Sequence, residues 1–240
     1  DAGPSLAQPG ADLYAGQKIE TAGGRLALRW RDGSSVRIDE HTTMRLAGDG
    51  AAELVRGRVY VDAGASNIAA KAPVVLTPAG PVRHIGTQYM ISVEGVSVGN
   101  AGVNAGATRV SVREGRVALA AGGAQQIARA GQELAVGPDG QGSLRPIPVW
   151  GDPWLWADAL AAPFDADGQS VADFLAWVAR ETGRRVEFAS AAAEQQARAT
   201  ELRGAIELEP MRALELVLQT SDLVARVDNG IIRVSLRTEE

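Results

Sequence analysis

From about Leu13 to Pro148 apolar and polar residues alternate in short runs punctuated by Gly, Asp, Asn and Pro. Arg25-Leu26-Ala27-Leu28-Arg29-Trp30 alternates, Asp32-Gly33 turns the chain, and Ser35-Val36-Arg37-Ile38 alternates again. That is a hairpin whose turn residues tolerate positive φ. Further strands are predicted at Arg58–Asp62, Val74–Leu76, Gln88–Val93, Arg109–Val112, Arg116–Leu119 and Glu133–Val136. Strands recurring this often with no helical period between them predict a sandwich, barrel or β-solenoid. Gly95–Ala107 is uncharged and rich in Gly, Asn and Ala, which reads as a long hairpin tip, with a ligand loop as the functional alternative.

Past Pro163 the period changes to that of a helix. Ser170 can cap with Asp173 at the reciprocal position, Val171, Phe174, Leu175 and Val178 share a face, and Gly183 stops the run. Arg185–Phe188 is a strand, an Ala, Gln and Glu-rich stretch is a loop or a frayed helical turn, and Leu202–Leu208 is the next strand. Pro210 opens a second helix with Met211, Leu214, Val217 and Leu218 inward. Val224–Val227 and Ile231–Val234 close the chain as a hairpin across Asn229-Gly230. The predicted order is β-α-β-β-α-β-β, a compact α+β unit. The fold class is therefore mainly β with a smaller α+β domain: an all-β domain over 11–148, a Trp-rich linker over 149–163 and the α+β domain over 164–240.

The linker follows from composition. Gly137–Pro148 holds three glycines and three prolines, as a boundary does. Trp150-Gly151-Asp152-Pro153-Trp154-Leu155-Trp156 then places three tryptophans in seven residues. At that density they either pack or bind. Stapling the two domains is the preferred reading; an aromatic platform for a sugar or a peptide is the alternative.

The 240 residues are 45% hydrophobic and 22% charged, which excludes a disordered chain. The net charge of -5 comes with Lys and Arg spread along the sequence, so no nucleic-acid or anionic-membrane footprint appears. The absence of cysteine removes disulfides, thiolate chemistry and Cys-based metal sites, and suits an oxidising periplasm. No apolar run approaches the ~20 residues that span a bilayer, so direct membrane insertion of this chain is not expected. No leader pattern opens it either; if the protein is exported or anchored, the segment that does so is expected to lie outside this chain.

Chemistry is sparse. His41, after Asp39-Glu40, reads as a surface histidine in a tight turn rather than a metal ligand, and His84 as a residue that packs or caps locally. Asp165 and Asp167 beside Gly168 are turn residues. A pocket gathering Asp165, Asp167 or Glu94 around a substrate is the minor, enzymatic reading. Gly86 is expected to permit a bulge or positive φ, and Thr87 to satisfy the backbone exposed there. No phosphate loop, nucleophile elbow or zinc helix motif is present. No catalytic residue, cofactor or metal is assigned.

Seven segments, in order, carry a resemblance: Ile19-Glu20-Thr21, Leu26-Ala27-Leu28, Asp32–Ile38, Leu54–Val61, Ile85-Gly86-Thr87-Gln88-Tyr89, Val112–Val117 and Ala130-Gly131-Gln132. They resemble the successive blocks of the FecR domain. Phe164-Asp165, Ser170–Gly183, Leu202-Arg203-Gly204, Ala213-Leu214, Leu218 and Val227–Val234 are similar to the short N-terminal (STN) domain of secretins and TonB-dependent receptors. The resemblance implies a periplasmic module of cell-surface signalling, the soluble part of an inner-membrane-anchored anti-sigma regulator. Its partner would be an envelope protein such as the signalling domain of a TonB-dependent transporter, and it would reach a sigma factor only through a cytoplasmic part absent from this chain.

Two readings follow. The first is a non-enzymatic signalling module that binds its partner by strand addition. Its contact residues would be Leu202, Gly204, Ile206, Val227, Ile231 and Val234, with Trp150, Trp154 and Trp156 as further candidates. The second is an envelope scaffold or peptidoglycan-associated binding protein without a sigma-factor link, in which the three tryptophans touch glycan or an assembly partner.

Overall fold

The computed structural model describes residues 10–30, 32–48, 50–64, 74–94, 97–99, 102–104 and 106–237. The first lobe is all β. Its strands are β1 (Lys18–Glu20), β2 (Leu26–Arg29), β3 (Ser35–Ile38), β4 (Thr43–Leu46), β5 (Ala51–Asp62), β6 (Val74–Thr77), β7 (Gly80–Val93), β8 (Ser97–Gly99), β9 (Gly102–Asn104), β10 (Thr108–Ala121), β11 (Ala124–Arg129), β12 (Gln132–Val136) and β13 (Gly142–Pro146). Eleven of them form one hydrogen-bonded sheet in the order β1-β4-β5-β6-β7-β10-β12-β13, with β2, β3 and β11 paired alongside. All pairings are antiparallel except β5–β6. β8 and β9 pair only with each other, as a small hairpin within Gly95–Ala107; residues 95, 96, 100, 101 and 105 of that segment lie outside the described residues.

Three long strands fold this sheet onto itself by changing partners midway. Residues 51–56 of β5 meet β4 and β6, whereas residues 57–62 meet β3 and β7. In β7 and β10 the ladder shifts register on either side of Glu114. A glycine with positive φ sits at each bend: Gly57, Gly86 and Gly115. At Gly57 no other residue fits, because a Cβ there would collide with the Thr42 backbone. The Thr42 hydroxyl accepts from the Arg58 amide at 3.1 Å and so serves the backbone opened by that bend. Thr87 does not play the matching part expected of it, since its hydroxyl is buried without a hydrogen-bond partner. The inward residues alternate as the pattern predicts: Val59, Val61, Tyr89, Ile91, Val110, Val112, Val117 and Leu119 share one core.

The second lobe contains the one-turn helix α1 (Leu155–Asp158), β14 (Phe164–Asp165), α2 (Val171–Thr182), β15 (Arg185–Phe188), α3 (Ala191–Ala199), β16 (Ala205–Ile206), α4 (Pro210–Gln219), β17 (Leu223–Asp228) and β18 (Ile231–Leu236). Its sheets are β14-β16 and β15-β18-β17, the latter mixed, with β15 parallel to β18. The Ser170/Asp173 capping box is formed, and α2 ends on Gly183 at positive φ. The final hairpin turns at Asn229 and Gly230, both at positive φ. Val171, Phe174, Leu175, Val178, Leu214, Leu218, Ile232 and Val234 form a second core.

Two elements differ from expectation. The Ala-rich stretch is the nine-residue helix α3, started by Ser190, whose hydroxyl accepts from the Ala193 amide at 3.1 Å. Its buried positions are Ala193 and Ala197, so the helical period is carried by alanines and is faint against alanine neighbours. The strand expected over 202–208 shrinks to Ala205–Ile206 because its partner β14 is only two residues long.

Candidate functional site: a buried ionic and aromatic junction

The outward positions of β5 after Gly57, of β7 after Gly86 and of β10 before Gly115 are not solvated. Tyr60 and Asp62 on β5, Gln88 and Met90 on β7, and Ser111 and Arg113 on β10 are all buried. What covers them is the segment after β13 together with the end of α2. Trp154 is fully buried, its ring edge-on to Tyr60 with centroids 6.1 Å apart, its indole N–H donating to the Pro148 carbonyl at 2.9 Å. Trp156 donates to the Met90 sulfur at 3.4 Å and carries the Arg58 guanidinium over its ring at 5.5 Å. Tyr60, Met90, Trp154, Trp156 and Ala157 form a third apolar cluster between the two lobe cores.

Two buried arginines cross this cluster. Arg37, from β3, donates to the Ala157 carbonyl at 2.7 Å and to Glu181 Oε2 at 2.5 Å. Arg113, from β10, donates to the Val149 carbonyl at 3.0 Å, the Glu181 carbonyl at 2.7 Å and Asp158 Oδ1 at 2.8 Å. Its guanidinium lies 4.6 Å from the Trp154 ring centroid and 5.4 Å from that of Tyr60. At the rim Arg180 pairs with Asp62 and, at 3.5 Å, with Glu114, while Gln88 donates to the other Asp62 oxygen at 3.0 Å. Two cations, Arg37 and Arg113, and three carboxylates, Asp62, Asp158 and Glu181, are thus buried together, a costly arrangement that holds only while every partner is in place. Arginine suits it because a planar fork satisfies several carbonyls at once and stacks on aromatic faces.

Asp158 is the electrostatically exposed member of this set. Burial pushes its carboxyl up from 3.8 to about 6, with Arg113 foremost, then Arg37 and Arg184, pulling the other way. Its Oδ2 has no hydrogen-bond partner among the described residues. At 1% exposure it is closed to a substrate, so its raised pKa marks a stressed structural group. Burial also raises the Tyr60 phenol above its ordinary value.

The predicted residues scatter around this junction. Trp154 and Trp156 lie inside it, and Trp150, half-buried, abuts Gly230 at the hairpin turn with Arg184 over its ring at 5.7 Å. With Trp154 wholly enclosed, the three tryptophans do not form an open platform. Leu202, Gly204 and Ile206 lie away from them, around β16; the Gly204 amide donates to Asp167 Oδ1 at 2.6 Å and the Asp167 amide to Asp165 Oδ1 at 3.3 Å, so both aspartates are turn groups. Ile231 and Val234 are on β18, the central strand of its sheet, and Val234 is fully buried. Both edges of β18 are paired, so an added strand has no place there; Ile231 is half-buried, and Val227, on the edge strand β17, is exposed.

His41 is exposed in a turn at positive φ. His84 packs inside against Tyr89, ring centroids 5.3 Å apart, and burial lowers its pKa. Among the described residues no group of His, Cys, Asp and Glu could hold a metal ion, and no helix is long and apolar enough to cross a membrane.

Residues 17–118 match the family model described as FecR protein. The matched segment runs from β1 into β10. It supplies Arg37, Tyr60, Met90 and Arg113, whereas Trp154, Asp158 and Glu181 lie beyond it. No curated protein matches the chain. Two crystal structures of a candidate anti-sigma factor from Parabacteroides distasonis ATCC 8503 are similar to it. One is 12% identical over 92% of this chain and 99% of that one, the other 13% over 91% and 98%, each with a TM-score of 0.46.

Proposed function

We propose that this protein is a non-enzymatic, FecR-type regulatory module of the cell envelope that receives its signal by protein contact at the second lobe and passes it to the first through the buried junction. The FecR match over residues 17–118 supports the regulatory class. The observation that carries the mechanism is the fan of hydrogen bonds from Arg113 to Val149, Asp158 and Glu181, which ties β10 to both the linker and α2. A load on the second lobe then reaches the three long strands directly.

In this reading the second lobe is an STN-type domain with one added helix, α3, set apart from the FecR-like part near residues 149–163; its alternating short strands and helices support that assignment. In this reading the chain acts in the periplasm as part of an inner-membrane-anchored protein, and its partner is the signalling domain of a TonB-dependent transporter. The docking edge is β17. With a two-residue turn closing on the Asp228–Ile231 pair, Asp228, Arg226 and Val224 bond to β18. The amides of Val227 and Ala225 then face outward, open to an incoming strand, while that of Leu223 donates to Ser221 Oγ at 3.3 Å.

The test mixes the full chain with the signalling domain of a TonB-dependent transporter from the same genome, followed by titration calorimetry. Saturable binding that Val227→Pro abolishes is expected, because proline removes an outward amide without touching the β18 ladder. Absence of binding, or binding indifferent to V227P, would overturn the partner assignment.

A further inference from the structure

The segments of β7 before Gly86 and of β10 after Gly115 have an outer face of their own. Val82, Val117, Leu119 and Ala128 point into the core, so Arg83, Arg116, Ala118, Ile127 and Arg129 point out. Arg116 and Arg129 are directly opposite across β10–β11, and Arg83 is opposite Ala118, which is opposite Ile127. Leu76 on β6 extends the face. Like charges placed opposite one another cost stability, and none of these three arginines has an ion pair or side-chain hydrogen bond among the described residues. Glu53, opposite Leu76 in the register, is already engaged by Arg45 at 3.8 Å, and Glu114, two residues before Arg116, by Arg180 at 3.5 Å. In a chain of net charge -5 this patch is cationic and partly apolar, with Leu76 38% and Ile127 40% exposed.

The parts of β7 and β10 on the other side of these bends, together with β3, show what such a face takes. There Arg37 and Arg113 stand among apolar side chains and are covered by Trp154, Trp156 and Ala157, with Asp158 and Glu181 meeting the guanidinium groups. We propose that the outer face of β6, β7, β10 and β11 docks an acidic, apolar-faced helix of a partner protein. In the register small Ala118 stands between bulkier Arg83 and Ile127, where the face of a helix can seat. Insertion into a lipid surface would need protruding bulky residues at the centre. This surface is separate from β17 and stands whether or not the second lobe binds a transporter domain.

The probe is a stapled helical peptide with Leu and Trp along one face and Glu flanking them on that same side, paired with a version in which Lys replaces Glu. Full-length chain is titrated with each by fluorescence anisotropy. The Glu peptide is expected to bind saturably and the Lys peptide not to. In Arg83→Glu/Arg116→Glu/Arg129→Glu, with an unchanged thermal midpoint, affinity should fall about tenfold or more, while V227P leaves it unchanged. A Glu peptide that fails to bind, or binds the triple variant equally, overturns the proposal. So does a wild-type chain that instead binds phosphatidylglycerol vesicles, or dimerises, through these arginines.

Discussion

The two halves of β7 and β10 are built alike and end differently. On both sides of the bends the strands alternate, and on both sides arginines stand on the outer face. Where β7 follows Gly86 and β10 precedes Gly115 that face is closed over by tryptophans and carboxylates, and Arg113 is 4% exposed; on the other side of the bends Arg83 and Arg116 stand in solvent. Alternation thus reports which side of a strand meets its own core, and the fate of the other side depends on chain that is remote in sequence. Arg113 and Asp158 are 45 residues apart, and Arg37 and Glu181 are 144 apart.

The comparison breaks most sharply at Arg113. Arg113→Ala leaves Asp158 and two buried carbonyls unpaired and is expected to cost about 3–5 kcal/mol in urea unfolding, whereas Arg116→Ala on the open half should stay within about 0.5 kcal/mol. Replacing Arg113 by Met together with Asp158 by Leu should recover much of the loss, since the buried charge is then absent on both sides. Trp154→Ala removes a fully buried indole and should cost about 3–5 kcal/mol, against well under that for Ile127→Ala, which is partly exposed.

A smaller effect sharpens the contrast through pH. The folded state holds the Asp158 proton more tightly than the unfolded chain does, because burial raises the carboxyl from 3.8 to about 6. Its contribution is therefore favourable at low pH and is lost as pH rises from about 4 to 6, a change on the order of 2–3 kcal/mol. Stability measured against pH in wild type and Asp158→Asn should differ in slope within that window and run parallel above it. Smallest is the cap of α2: Ser170→Ala should cost about 1 kcal/mol in the same unfolding assay.

Much of the fold was legible because it rests on local rules. The Asp32-Gly33 and Asn229-Gly230 turns, the Ser170/Asp173 box and Pro210 each act within a few residues, and the structure has all four. The bend glycines were visible as parts of the FecR-like blocks, and only the structure shows why they recur: each lets one strand serve two sets of neighbours. Helix α3 was missed because its buried positions are alanines. The junction was half legible. Three tryptophans in seven residues announced that something packs there, but Arg37 and Arg113 sat at strand positions where an arginine ordinarily marks a solvated face. Nothing in the local pattern of Glu181, late in an amphipathic helix, told it apart from a surface carboxylate.

The central claim is that the buried junction makes the two lobes one mechanical unit. Differential scanning calorimetry of the full chain at neutral pH tests it most directly. The account predicts a single transition whose calorimetric and van't Hoff enthalpies agree, splitting into two when Arg37 and Arg113 are both replaced by Ala. Two separate transitions in the unaltered chain, one for each lobe, would contradict it.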